Sequence, residues 1–419
     1  MKSVSRARAT VIVAILSLVY FVSYFARKDF AAVMAVMLSE NIINKSEGGL
    51  IGMALFVCYG IGQLVSGYLG DKLRPSILLS LGLLTTALCN ILMPHIPSAS
   101  LMIPVWAVNG FAQAMLWPPI VRILADTLEG EAFLRANLYV TSAAHISTIL
   151  LYIFVPICVK FYDWKTVFTV AGIISAVVLL IFIVAIFTLL TESREATESK
   201  LQTSDTSTPL FSLLSGSGLI RIFLAIIMMG FLRDGIESWL PTLYAEAFSR
   251  DASEAVLVSA ILPVFSIISI VSITAIHKTR LFNNEARGAA ILFIIAGAVC
   301  VPIAILINFG HIVMRVICLV LACLVCACMH AVNFLFISCT PGRFAPYGRA
   351  ATASGFSNAC TYVGAAISMY GIGALADTLG WSFTVVSWIL IATLGALFSV
   401  LSYIKYTRFI NQKNSQKGN

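Results

Sequence analysis

The chain of 419 residues is 59% hydrophobic and only 11% charged, which excludes an ordinary soluble protein, in which about a quarter of the residues are charged. Its net charge of +8 does not indicate a nucleic-acid partner, because the basic residues lie in short loops and tails between apolar runs. Many of these runs reach about 20 residues, the length of a helix that crosses a bilayer. The composition therefore predicts an all-α membrane protein that is embedded in the lipid bilayer.

Twelve apolar segments follow one another along the chain. With a cytoplasmic N-terminus, the outer loops hold only Lys45, Lys160, Lys165 and Arg250, whereas the inner loops and tails hold most other basic residues. Basic residues stay on the cytoplasmic side, so we expect both termini there. The predicted spans are 10–37, 49–69, 76–95, 99–125, 134–160, 165–191, 217–246, 254–276, 287–307, 311–340, 347–375 and 381–405.

A polar stretch rich in serine and threonine interrupts this pattern at mid-chain and is typical of a flexible linker. The flanking segments repeat weakly, since Asp163-Trp164-Lys165-Thr166-Val167-Phe168 opens the sixth span and Gly380-Trp381-Ser382-Phe383-Thr384-Val385 opens the twelfth. Six plus six spans with parallel repeats is the architecture of major facilitator transporters. We predict a six-helix half at 1–191, a cytoplasmic linker at 192–216, and a second six-helix half with a cytoplasmic tail at 217–419.

Most of the ten cysteines lie inside apolar segments, where a thiol packs as a small hydrophobe. Cys323, Cys326 and Cys328 are closely spaced, but His330 is the only other metal-ligating side chain beside them. Helix packing explains this spacing better than zinc does. The sequence predicts neither a metal site nor a cofactor.

Cations occur inside two of the predicted spans. Arg27 and Lys28 lie in the first span, and Arg233 lies in the first span of the second half. A charge inside the membrane is costly unless it faces a partner or a cavity, so such residues indicate a functional site. Two facing cations would form a pocket for an anion.

The loop after the second span, Gly67-Tyr68-Leu69-Gly70-Asp71-Lys72-Leu73-Arg74, resembles the loop signature of the major facilitator superfamily. The glycines permit a tight turn and close helix approach. We expect Asp71 to pair with Arg122 or Arg135 and to close the cytoplasmic face. An ordinary charged loop is the alternative.

A longer set of motifs resembles the organophosphate:phosphate antiporter family, whose members exchange glycerol 3-phosphate or hexose 6-phosphates for inorganic phosphate. The similarity is patchy and covers nearly the whole chain, as is typical of a distant member. The motifs are Tyr20-Phe21-Val22-Ser23-Tyr24-Phe25-Ala26-Arg27-Lys28-Asp29-Phe30, Leu116-Trp117-Pro118-Pro119-Ile120-Val121-Arg122, Ala143-Ala144-His145, Leu232-Arg233-Asp234-Gly235 and Ala353-Ser354-Gly355-Phe356.

In that family an arginine of the first helix and one of the seventh clamp the phosphate, and the resemblance assigns these roles to Arg27 and Arg233. A guanidinium stays charged when desolvated, and its fork of donors fits phosphate or carboxylate. Purely structural pairing or aromatic packing is the alternative for each site residue. The further residues that we expect at the substrate site are Tyr20, Tyr24, Lys28, Tyr59, Gln63, Trp117, His145 and Tyr362.

The chain departs from the family pattern in its charges. Gln63 stands where the family usually carries a lysine, and Ile261-Leu262-Pro263-Val264 lacks the usual glutamate. The pocket gains Asp234 and Glu237 instead, either of which could pair with Lys28, and Glu237 could also pair with Arg233, one helical turn away. Carboxylates and zwitterions therefore stay open as substrates, and the added acids could carry a proton.

The sequence predicts a secondary transporter of a small anionic metabolite, an organophosphate exchanged for inorganic phosphate by alternating access. One alternative is a proton-coupled carrier of an organic acid, sugar derivative or drug. A second is a receptor that binds sugar phosphate without transporting it. An enzyme is not expected, because no Walker sequence or nucleophile–base constellation is present. We expect a monomer in a bacterial inner membrane.

Overall fold

The computed structural model describes residues 6–189, 217–347 and 350–416. Long helices make up nearly all of this part of the chain, so the predicted all-α membrane fold class is confirmed. The predicted linker at 192–216 lies outside the described residues. The helices are α1 (Arg6–Ser39), α2 (Lys45–Lys72), α3 (Pro75–Leu92), α4 (Ala99–Ala114), α5 (Trp117–Thr127), α6 (Gly130–Phe161), α7 (Trp164–Leu189), α8 (Leu219–Ala247), α9 (Ala252–Ser259), α10 (Ile261–Ile276), α11 (Glu285–Leu306), α12 (Ile312–Asn333), α13 (Ala350–Thr378) and α14 (Gly380–Gln416).

Eleven segments of the described chain are long and apolar enough to cross a membrane. The other predicted span corresponds to α8, whose 29 residues include the intramembrane charges Arg233, Asp234 and Glu237. Together these segments account for the twelve predicted spans. These charges distinguish α8 in composition, although not in length, from the more apolar spans.

Prolines divide two of the spans into shorter helices. The fourth span breaks at Met115 and Leu116, just before the Pro118 and Pro119 pair that opens α5. The eighth breaks at Ala260, three residues before Pro263. Proline has no N–H to continue the helical ladder, and its ring crowds the preceding turn. These breaks are therefore local consequences of the sequence.

The contacts divide the chain into two compact units. The first contains α1 to α7, α9 and the start of α10 as far as Val264, and the second contains α8 and the chain from Phe265 onward. In the first unit, α1 packs against α6 and α7, α2 against α4, and α3 against α7. Its core is mostly aliphatic and includes the fully buried Leu16, Val19, Leu79 and Ile120, with the aromatic ring of Phe182 among them.

Glycines allow α8 and α13 to approach each other closely within the second unit. A Cβ atom at Gly364 would collide with the backbone oxygen of Ile227, and one at Gly230 would collide with that of Thr361. Small residues at such crossings let membrane helices pack backbone against backbone. This crossing positions Arg233, which lies three residues beyond Gly230 on α8.

Replacing Gly364 with alanine is expected to destabilise the second unit by about 1–3 kcal/mol, the usual cost of overpacking. The obstructing atoms are backbone, so the helices must separate to admit the methyl group. Thermal unfolding in detergent measures the effect. Gly355→Ala on the same helix is the matched control, because a Cβ there meets nothing within 4 Å. Equal melting temperatures for the two variants would contradict the close approach.

All ten cysteines are free, and all lie in helical segments. Seven are buried, whereas Cys58, Cys339 and Cys360 are half-buried. Within the described residues, no group of three or more histidine, cysteine and acidic side chains is arranged to hold a metal ion. The cluster Cys323, Cys326 and Cys328 lies on α12, where its buried thiols contribute to packing.

Candidate functional site

In the first unit, Arg27 lies among aromatic side chains. Its guanidinium carbon is 4.0 Å from the ring centroid of Tyr24, one turn earlier on α1, and 5.1 Å from that of Tyr59 on α2. Tyr59 is buried, whereas Arg27 and Tyr24 are half-buried. Aromatic faces attract a guanidinium through their quadrupoles without neutralising its charge. The arginine is thus held in place while its positive charge persists.

Tyr20 and Trp117 extend this cluster along α1. The ring of Tyr20 is 5.0 Å from that of Tyr24 and 4.8 Å from that of Trp117 at the start of α5. The hydroxyl groups of Tyr20 and Tyr24 are 3.5 Å apart. Tyr24 and Tyr59 therefore contact Arg27, and Tyr20 and Trp117 continue the same aromatic cluster along α1.

Three further predicted residues of the first half have their own surroundings. Gln63 donates from Nε2 to the backbone oxygen of Ala114 at 3.3 Å, which ties α2 to α4. His145 Nδ1 lies 3.0 Å from the backbone oxygen of Thr141, one turn earlier on α6. Lys28 is half-buried on α1. The assignment of these side chains to a substrate site stays a prediction.

In the second unit, Arg233 belongs to a polar network. Its Nη2 and Nε donate to the two carboxylate oxygens of Asp234 at 2.7 and 3.4 Å, and its Nη1 donates to Asn333 Oδ1 at 2.7 Å. The side chains of Arg233 and Asp234 are 13% and 8% exposed. Asp234 thus balances the charge of this arginine. The sequence did not indicate Asn333, which joins the network from the last residue of α12.

Glu237 contacts a histidine on another helix. Its Oε1 lies 2.7 Å from His330 Nε2 on α12, whereas the guanidinium of Arg233 bonds to Asp234 and Asn333. The pairing of Glu237 with Arg233 stays a prediction. His330 and Asn333 are three residues apart and share one face of α12. That spacing of polar residues in an apolar span was the signal that could have identified them.

The remaining predicted residues belong to the substrate site and to the cytoplasmic gate. Tyr362 is half-buried on α13. Among the residues predicted for the cytoplasmic gate, Arg122 Nε lies 3.9 Å from Asp126 Oδ2, and Arg135 Nη2 lies 2.9 Å from Glu131 Oε2, each pair being one turn apart on its own helix. The side chain of Asp71 lies outside the described residues. The cytoplasmic gate therefore stays a prediction, as does the pairing of Lys28 with Asp234 or Glu237.

In a comparison with protein families, the family model of the Major Facilitator Superfamily matches residues 16–369, which is most of the chain. A probable hexose phosphate transport protein of Chlamydia muridarum is 29% identical over 160 residues, which are 38% of this chain and 35% of the relative. The glycerol-3-phosphate transporter of Bacillus subtilis is 27% identical over 244 residues, 54% of each chain. The membrane sensor protein UhpC of Escherichia coli is 26% identical over 163 residues, 38% of this chain and 36% of the relative. The matched segments thus span between about a third and about a half of these relatives.

Solved structures share the fold over nearly the whole chain. A bacterial homolog of the human lysosomal transporter Spinster, described as inward-facing and unoccupied, has a TM-score of 0.78 at 13% identity and covers 97% of this chain and 99% of its own. The nucleoside transporter NupG has a TM-score of 0.70 at 14% identity and covers 95% of this chain and 98% of its own. At such identities the likeness establishes the fold and leaves the substrate open.

Proposed function

The chain belongs to the Major Facilitator Superfamily, and from this premise we propose that it carries a small phosphorylated metabolite in exchange for inorganic phosphate. It is a multi-pass membrane transporter of this superfamily and not an enzyme. The hexose phosphate and glycerol-3-phosphate transporters among its relatives supply the substrate class. We place it in a bacterial inner membrane, as a monomer with both termini in the cytoplasm.

The observation that carries the proposal is the aromatic setting of Arg27. A guanidinium held by tyrosine faces keeps its charge, and its planar N–H groups remain suited to a doubly accepting anion. The hydroxyl groups of Tyr20 and Tyr24 are suited to hydrogen-bond a phosphate or a sugar hydroxyl. This side chain therefore supplies the primary anion contact of the first half.

Arg233 supplies the contact of the second half. Its three bonds to Asp234 and Asn333 use three of the five N–H groups of the guanidinium, which leaves two for an incoming anion. The carboxylate of Asp234 competes with that anion for the same positive charge. A substrate that binds at Arg233 must therefore displace or share the contact with Asp234.

In the proposed mechanism the substrate is held between Arg27 and Arg233 and lowers the barrier to alternating access. Without an anion, the two positive charges would repel each other as the halves close, which favours exchange over leak. Efflux from vesicles at equal rates with and without an external counter-substrate would exclude strict exchange. The same assay would identify the third candidate, a receptor that binds sugar phosphate without transporting it, since a receptor would bind the anion without moving it; a membrane sensor protein is among the relatives.

Two buried pairs favour a second candidate, a proton-coupled carrier of an organic acid, sugar derivative or drug. Arg233 is balanced by Asp234, and Glu237 is bonded to His330. Acids and histidines in membrane spans form the proton relays of many transporters. In this candidate, protonation of an acid would release Arg233 for a carboxylate substrate.

Thermal unfolding of the purified protein with a ligand panel tests the proposal. The panel contains inorganic phosphate, glucose 6-phosphate, glycerol 3-phosphate, a dicarboxylate and an amino acid. A ligand at a hundred times its Kd stabilises the native state by about 2.7 kcal/mol, which raises the melting temperature. We expect phosphate and a phosphate ester to stabilise the wild type and Arg250→Ala, a control at an exposed arginine, but not Arg27→Ala. Stabilisation by the carboxylate or amino acid alone would overturn phosphate specificity and favour the second candidate.

A further inference from the structure

The first half contains an acid that the proposed anion site does not use. Asp29 lies two residues beyond Arg27 and is fully buried, with 0% of its surface exposed. Its Oδ1 accepts a hydrogen bond from the backbone N–H of Phe30 at 2.7 Å. Its Oδ2 is buried and has no hydrogen-bond partner. A carboxyl group in the middle of a membrane span thus has one of its oxygens unsatisfied.

Two asparagines contact the backbone of α1 one turn before Asp29. Asn90 on α3 and Asn109 on α4 both donate from Nδ2 to the backbone oxygen of Ala26, at 3.1 and 3.2 Å. Ala26 lies three residues before Asp29, and helical side chains lean toward the preceding turn, so the carboxyl group lies on the face of α1 that the two amides contact. Three helices therefore meet at one cluster of polar groups.

The cluster contains more acceptors than donors. Both asparagines are fully buried, and the Oδ1 atom of each has no hydrogen-bond partner, like Oδ2 of Asp29. A buried, ionised carboxylate is strongly unfavourable when one of its two oxygens receives no hydrogen bond. A proton on Oδ2 removes the charge and turns one acceptor into a donor, for which an amide oxygen is a suitable partner.

The neighbouring helices α3 and α4 supply no cation that could balance Asp29, because they contain no Asp, Glu, Lys, Arg or His. On α1 itself, Arg27 is directed to the rings of Tyr24 and Tyr59, Lys28 precedes Asp29 directly in the sequence, and Arg6 and Arg8 lie at the start of the helix. The helices that pack against α1 also contain charged or titratable residues. These include Cys58 and Tyr59 of α2, Cys89 of α3, Arg122 and Asp126 of α5, His145 and Tyr152 of α6, Lys165 of α7 and Glu254 of α9.

We propose that Asp29 is a proton-carrying group of this transporter, protonated while α1 packs against Asn90 and Asn109 and deprotonated when that contact opens to water. The O–H bond of the carboxyl group then breaks, water takes the proton, and a carboxylate remains two residues from Arg27. The side chains of Asp29 and Arg27 leave different faces of α1, so the carboxylate acts through space: its negative charge repels a bound anion, whereas the protonated form does not. Protonation therefore favours anion binding, and a proton moves together with the anion; this coupling rests on the proposed function.

The protonation state is measured directly by infrared spectroscopy of the substrate-free protein at neutral pH. We expect the wild type to show a carboxylic-acid C=O band that Asp29→Asn lacks, because asparagine has the same shape and cannot ionise. Asp163→Asn is the control, since Asp163 caps α7 at an exposed position and asparagine caps helices as well. Identical carboxylic-acid bands in the wild type and Asp29→Asn would overturn the proposal.

Transport by proteoliposomes loaded with inorganic phosphate tests the coupling, with labelled glucose 6-phosphate and glycerol 3-phosphate as external probes. We expect an inwardly directed proton gradient to stimulate uptake by the wild type and by Asp163→Asn. Asp29→Asn should keep the exchange but lose the stimulation. Equal stimulation in Asp29→Asn would overturn the coupling. If the wild type exchanged neither ester, the proposed function would fail, and the infrared band would still decide the protonation of Asp29.

Discussion

Replacing Arg27 with lysine is expected to lower the affinity for inorganic phosphate and for a phosphate ester by about ten- to a hundredfold. Lysine keeps the positive charge but loses the planar fork of donors that fits two phosphate oxygens. One hydrogen bond to a charged group contributes about 1.5–3 kcal/mol, and each 1.4 kcal/mol corresponds to about tenfold in affinity. The contacts with Tyr24 and Tyr59 also weaken, since arginine stacks on aromatic faces more favourably than lysine.

Phosphate titrations followed by thermal unfolding in detergent measure this change. Arg250→Lys is the matched control, because Arg250 forms an exposed pair with Glu254 one turn away on the same segment. The control should bind phosphate like the wild type. An unchanged affinity in Arg27→Lys would remove Arg27 from the anion site, whereas a melting temperature far below that of the control would show damage to the fold instead.

Replacing Asp234 with asparagine is expected to have the opposite effect on binding, a rise of about tenfold in the affinity for phosphate. Asp234 accepts two hydrogen bonds from Arg233 and balances its charge at a site where both side chains are largely buried. Removing that carboxylate eliminates the competitor of the incoming anion. The variant should also be less stable without ligand, because breaking a buried ion pair from one side costs about 3–5 kcal/mol.

The same titration measures both effects, since the melting temperature without phosphate reports stability and its rise with phosphate reports affinity. Asp251→Asn serves as the control, because Asp251 caps α9 and asparagine retains the capping oxygen. If phosphate bound to Asp234→Asn no more tightly than to the wild type, Arg233 would not be an anion ligand. A loss of proton-driven uptake with exchange intact would support the second candidate function instead.

The architecture was predictable because a bilayer imposes its constraints on every residue of a span. Apolar length and the position of basic residues identify membrane helices without knowledge of their partners. The breaks at Leu116 and Ala260 follow in the same way from nearby prolines. These features depend on local sequence, so they can be inferred one segment at a time.

The partners of the buried polar groups were harder to predict. Arg27, Arg233 and Asp234 are conspicuous in apolar spans, but Asn333 lies 100 positions from Arg233 and is neutral. The sequence shows that such groups need partners and does not show which helix faces which. The contact between Glu237 and His330 on α12 likewise could not be read from the sequence. The sequence places Asp29 beside Arg27 and Lys28 but does not show that its carboxyl group is fully buried.

The burial of most native thiols offers a direct route to the orientation of this protein in the cell. Seven of the ten cysteines are buried, and the other three are half-buried within helical segments. A membrane-impermeant maleimide needs an accessible thiolate, so the native chain should give a low background. A single cysteine introduced at the exposed Lys160, near the end of α6, would then be labelled in intact cells only if that end of the helix faced outward. The topology can thus be read by chemical labelling without first building a cysteine-free protein.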